Sequence, residues 1–115
     1  MTSNDKKSRA ILIDAKNRII KPIVISNLKD MQNAVGGYIE RAHTHKNNDF
    51  YVDEEGLLKR YEYGFSIIGA HQPFFVGNGL VIGIDYNTCD NTNTTLTIDE
   101  VKRMITFIPF KVKKI

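Results

Sequence analysis

The chain has 115 residues, 42% apolar and 25% charged, which is the composition of one ordinary globular domain able to bury its own core. It has no apolar run of about 18 residues and a single cysteine, Cys89, so the sequence reads against a membrane helix, an internal disulfide and a secreted scaffold, and for a cytoplasmic protein. The net charge of +3 sits at the ends, +2 in residues 1–9 and +3 in residues 111–115, leaving −2 between them, so two basic tails, the first of them flexible, are expected to flank a domain over 10–110.

Ala10–Asp14 and Ile19–Ile25 are short β-rich runs separated by a polar turn around Asn17, which predicts a hairpin. Pro22 cannot donate to a ladder, so the second strand belongs at an edge or a bulge. Ser26 reads as an N-cap, and Leu28, Met31 and Val35 mark one helical face. Gly36 stops that helix as a left-handed residue, and Gly37 removes a second Cβ at the junction with a strand over Tyr38–Ala42. His43–Asn48 reads as loop, Asp49–Asp53 as strand, and Glu54-Glu55-Gly56 as turn.

Leu57–Gly69 is compatible with a strand bulged at Gly64 or with a helical turn followed by a strand. Asn78-Gly79 between apolar runs predicts a hairpin, and Leu80–Tyr86 is the best candidate for a central strand. Asn87–Thr95 reads as a polar loop. Thr97 and Glu100 form a capping box, followed by a helix whose apolar face is Ile98, Val101, Met104, Ile105 and Ile108 and which Pro109 ends. The order is β-β-α-β-β-β-α, with room for one more strand. That is an α+β single small domain with a mainly antiparallel sheet and two helices packed on one face.

AVGGYIE at 34–40, DEEGLLK at 53–59, FFVGNGLVIG at 74–83 and LTIDEVKRMITF at 96–107 together resemble the domain-of-unknown-function family numbered 3846 over about residues 10–108. Between Lys59 and Gly69 the chain has KRYEYGFSI where family members often carry a Leu-Pro-x-Asn motif. The resemblance implies a small protein of phages, other viruses and mobile elements, present in host cytoplasm, and transfers no catalytic residue.

Four groups of residues carry chemistry. His43 and His45, two apart, would share one face on a strand and with His71, Cys89 or Asp49 would make a zinc site, yet no ligand pair has a metal-site spacing, so they read as solvated loop histidines and no metal is expected. Asp53, Glu54 and Glu55 cluster at a turn, where they read as solvated; the sharp form of an acid–base reading has Glu40 join them from the neighbouring strand. Gly77-x-Gly79 precedes a strand rather than a helix and reads as a turn, not a phosphate loop. Arg60, Tyr61 and Tyr63 interleave base and aromatic, a pattern that stacks bases or anchors a partner.

The expected function is therefore a non-enzymatic binding module without cofactor, contacting a protein partner or a small nucleotide through Arg60, Tyr61, Tyr63, His71 and Asn78. The alternatives are nucleic-acid binding by the basic tails and a small enzyme built on Glu40 with Asp53, Glu54 and Glu55. Free sheet edges also allow a homodimer.

Overall fold

The computed structural model describes residues 7–59 and 61–109. In chain order these form β1 (Ser8–Asp14), β2 (Ile19–Ile25), α1 (Leu28–Val35), β3 (Ile39–His45), β4 (Asn48–Asp53), a 3-10 turn (Gly56–Leu58), β5 (Tyr63–Ile67), β6 (Phe75–Val76), β7 (Gly79–Asp85), β8 (Asp90–Thr92), α2 (Ile98–Met104) and β9 (Ile105–Pro109). The α+β class holds, and every strand pair is antiparallel. The strands form two sheets. The larger has the order β2-β1-β7-β4-β3 with β8 beside β7, and the smaller has the order β6-β5-β9.

The apolar run Leu80–Ile82 is explained by burial on both faces. Leu80 and Ile82, with Ala10 and Ile25, pack against Met31 and Val35 of α1. Val81 points the other way, into a cluster with Ile11, Ile13, Phe50 and Val52 that meets Phe65 and Ile67 of the smaller sheet and Val101 of α2. The helices therefore lie on opposite faces of the larger sheet, not on one face as expected. A strand covered on both sides needs no polar alternation, hence its uniform sequence.

Local signals decide several element ends. Pro22 lies on the edge strand β2. Gly36 adopts φ 92° at the end of α1 and its amide donates to the Gln32 carbonyl. Thr97 and Glu100 make the reciprocal capping box of α2. Of the two readings left open for Leu57–Gly69, the helical turn followed by a strand is the one observed, with no bulge at Gly64.

Other expectations are corrected. Ser8 and Arg9, assigned to the basic tail, begin β1, and Ser8 is buried opposite Ile25. The cap of α1 is Asn27, whose side chain accepts from the Asp30 amide, rather than Ser26. His43 and His45 belong to β3, which runs on to a tight turn at Lys46-Asn47. The polar loop after β7 contains the short strand β8.

Two corrections concern topology. Asn78-Gly79 is no hairpin: Gly77, at φ 95°, turns the chain out of β6 in one sheet and into β7 in the other. Gly79 is glycine because Phe65 lies over it; a Cβ there would come within 2.5 Å of the ring Cζ. The second helix ends at Met104, and Ile105–Pro109 pairs with β5 instead. The β-branched residues of this segment gain a full ladder by extending, which outweighs continuing one apolar helical face.

Asn48, wholly buried, ties the β3–β4 turn to the segment before α2. Its amide nitrogen donates to the carbonyls of His45 and Lys46 and to Thr95 Oγ1. Its Oδ1 accepts from Thr94 Oγ1 and the Thr95 amide.

Candidate functional site

The β1–β2 turn and the entry to β5 are distant in sequence and adjacent in space, and a cleft of about 450 Å³ lies between them. Its walls are Ala15, Lys16 and Arg18 on one side and Tyr61, Glu62, Tyr63 and Pro109 on the other. The turn is held by Asp14, whose carboxylate accepts from the amide and side-chain nitrogens of Asn17 at 3.1 and 2.9 Å. Arg18 closes it at φ 57°, in the left-handed region. Asn78 Oδ1 accepts from the Ala15 amide at 2.9 Å, fixing the same turn from the β7 side. Opposite, the rings of Tyr61 and Tyr63 lie 5.3 Å apart and tilted by 50°. The cleft thus combines an aromatic pair with two exposed cations.

Tyr61 also belongs to a second constellation. Its hydroxyl donates to Asp53 Oδ2 at 3.1 Å, and Lys59 Nζ donates to the same oxygen at 2.6 Å and to the Gly36 carbonyl at 3.0 Å. The Glu55 amide donates to Asp53 Oδ1. The Asp53 side chain is fully buried, while that of Lys59 is 37% exposed. The double glycine makes room for this clamp: a Cβ on Gly37 would lie 2.6 Å from Lys59 Nζ and 2.8 Å from Asp53 Oδ1, and one on Gly36 would lie 2.8 Å from the Tyr61 hydroxyl. Beyond it opens a cleft of about 480 Å³ lined by residues that include Lys29, Gln32, Tyr38 and Glu55.

Burial alone would raise the Asp53 carboxyl. The bonds from Lys59, the Glu55 amide and Tyr61, with the Lys59 charge, outweigh it and hold the carboxyl below its usual range. The Tyr61 hydroxyl is pushed up by burial and by its bond to Asp53. A depressed folded-state carboxyl contributes stability that is present above the unfolded value and lost as pH falls through the folded one. Asp53→Asn is expected to cost about 1–3 kcal/mol at pH 7 and progressively less below pH about 4. Urea midpoints of both proteins at pH 7 and pH 3 measure this. An equal difference at the two pH values would show that the Asp53 charge contributes nothing.

The clamp also separates the carboxylates proposed for acid–base work. Glu40 pairs with Val52 and Ile39 with Asp53, so Glu40 and Asp53 emerge on opposite faces of the ladder. Glu54 and Glu55 are exposed. Asp53 is the one carboxylate in the group that is buried, and both its oxygens are engaged.

His71 lies apart from the tyrosines, in a cleft of about 380 Å³ with Arg41, Ala42, His43, Thr44 and Gly69. Among the described residues no three His, Cys, Asp or Glu side chains come together as metal ligands, and Cys89 is exposed in the turn after β7. Arg60 lies outside the described residues. Of the five sequence-predicted contacts, Tyr61 and Tyr63 face the 450 Å³ cleft and Asn78 fixes its wall.

On the α1 face of the sheet, Asp49 is buried and accepts from the hydroxyls of Tyr51 and Tyr86, each at 3.1 Å. Burial and the Asp49 charge push Tyr51 up to about 12.

The family described as domain of unknown function (DUF3846) matches residues 7–106. The chain belongs to this family. No curated protein and no solved structure gives a significant match. No helix among the described residues of the DUF3846 domain is long and apolar enough to cross a membrane.

Sequence reasoning missed Lys16 and Arg18 as lining the 450 Å³ cleft and Lys59 as the partner of Asp53. Nothing local marks Lys16 and Arg18, because their approach to Tyr63 depends on how the two sheets stack. Lys59 carried a signal: it lies six residues after Asp53, across the Glu54-Glu55-Gly56 turn, where a folded-back loop returns a cation to a carboxylate.

Proposed function

We propose that this protein is a non-enzymatic binding module whose ligand is a small nucleotide held between Lys16, Arg18, Tyr61 and Tyr63. One observation carries the reading: two tyrosine rings from the entry to β5 and two cations from the β1–β2 turn line a single cleft of about 450 Å³. A base stacks on an aromatic face whatever its hydrogen-bonding edge, and phosphates are drawn to exposed Lys and Arg. At a centroid separation of 5.3 Å, the rings leave no room for a base between them. The base therefore stacks on an outer face, with its phosphates toward the β1–β2 turn. Of the occupants that the sequence allows, a nucleotide uses both features of the cleft. The wider setting that we propose is a small accessory protein of a phage, virus or mobile element acting in host cytoplasm.

Titration with nucleoside mono- and triphosphates, followed by calorimetry and by the tyrosine ring resonances, tests this reading. Tyr63→Ala is expected to weaken binding roughly 10- to 100-fold, the worth of one stacked base. Lys16→Ala with Arg18→Ala should weaken triphosphates more than monophosphates. Resonances of Tyr61 and Tyr63 that stay unmoved at millimolar nucleotide would overturn the proposal.

A further inference from the structure

The Asp53 clamp and the tyrosine cleft share one side chain. Tyr61 lies outside every strand, two residues before the ladder of β5 begins at Tyr63. What fixes its ring is at the far end. The hydroxyl donates to Asp53 Oδ2, the oxygen that also accepts from Lys59 Nζ. Asp53 is itself immobilised: it ends β4 opposite Ile39, and its Oδ1 accepts from the Glu55 amide. Lys59 is tied to the Gly36 carbonyl at the end of α1.

The flanks of the ring are backbone. A Cβ on Gly36 would lie 2.8 Å from the Tyr61 hydroxyl, and one on Gly77 would lie 3.2 Å from Cε2. These two glycines admit the ring, and neither presents a side chain to hold it. The bond to Asp53 is therefore its polar anchor. That bond gains strength from an ionised acceptor, and the Lys59 charge keeps the buried Asp53 carboxylate in that form. Neither Asp53 nor Lys59 lines the 450 Å³ cleft; Lys59 lines the 480 Å³ cleft beyond. Their route to the first cleft is Tyr61.

We propose that Asp53 and Lys59 are positioning residues of the tyrosine cleft: by holding the Tyr61 hydroxyl from behind, they preset its ring as a wall on which a ligand stacks. A ring already ordered in the free protein loses little freedom on binding. The effect on affinity rests on the nucleotide reading, whereas the position of the ring in the free protein does not.

Lys59→Met and Tyr61→Phe, made singly and together in the full chain, test the proposal. The Tyr61 ring resonances and their NOEs to the Gly77 Hα protons are recorded first without ligand. Lys59→Met should move these resonances and weaken the NOEs, and Lys59→Arg, which keeps the cation, should restore both. Asp53→Asn with Lys59→Met removes both charges and is the second variant should Lys59→Met alone not fold. ATP is then titrated. Lys59→Met and Tyr61→Phe should each weaken binding about three- to tenfold although both aromatic rings remain. The double variant should bind no more weakly than Tyr61→Phe, because the lysine acts through that hydroxyl. A merely structural Lys59 would lower the urea midpoint and leave the Tyr61 resonances and the affinity as in wild type. That result, or additive losses in the double variant, would overturn the proposal. Wild type that binds no ATP would sink the nucleotide reading, and the ring resonances alone would then decide whether the clamp positions Tyr61.

Discussion

Phe65→Ala is expected to lower the unfolding free energy by about 3–5 kcal/mol, a large share of what a domain of this size possesses. The Phe65 ring has no solvent exposure. It comes from the middle strand of the smaller sheet, lies directly over Gly79 on the central strand of the larger one, and its ring centroid is 5.9 Å from that of Phe75. Truncation leaves a cavity bounded by backbone, which relaxes little, so the cost should fall at the upper end for its type. Denaturant unfolding measures it through a lower midpoint at unchanged slope. Adding Gly79→Ala to the truncated protein should recover part of the loss, because the new methyl enters the vacated space, whereas Gly79→Ala alone destabilises by overpacking. A loss below about 1 kcal/mol for Phe65→Ala would mean that the sheets are joined by something other than this ring.

Asn48→Ala should cost about 3 kcal/mol, because it strands several buried groups at once. The carbonyls of His45 and Lys46, the Thr95 amide and two threonine hydroxyls all depend on this one amide. Asn48→Asp separates the donors from the acceptor. It keeps the oxygen that Thr94 and Thr95 use, but turns a carboxylate toward two carbonyls. The aspartate protein is therefore expected to be the less stable of the two at pH 7 and to gain on acidification, as the carboxyl takes up the proton that a carbonyl can accept. Thermal melts of both variants at pH 4 and pH 7 check the order. Equal stability of wild type and Asn48→Ala would show that water replaces every one of these bonds.

The sequence was most legible where a signal is local and covalent geometry enforces it. Gly36, Pro22, the Thr97–Glu100 box and the uniform run at Leu80–Ile82 all led to the structure found. It was least legible where distant strands decide. Ile105–Ile108 has both helical spacing and β-branched residues, and only the presence of β5 alongside selects the strand. Asn78-Gly79 has the composition of a hairpin, yet Gly79 answers to Phe65 and Asn78 to the Ala15 amide. The same limit applies to the site. Tyr61 and Tyr63 stood out by composition, but the cations that complete their cleft come from a turn 43 residues or more away in the chain. The double glycine was read correctly as backbone geometry, while its second role, admitting Lys59 and Tyr61 to Asp53, required the returning loop to be seen.

The strand order has a kinetic consequence. The middle strand of the larger sheet is the seventh to be made, and β1 and β4, the two earlier strands that flank it, have no ladder between them until it arrives. On a ribosome, the β1–β2 and β3–β4 hairpins emerge first and wait with one open edge each. Closing that gap joins residues about 30 to 70 positions apart, so the chain belongs with slow-folding, high-contact-order domains. Until residue 85 has left the exit tunnel, those two edges are the places where a nascent chain is most open to pairing with another copy.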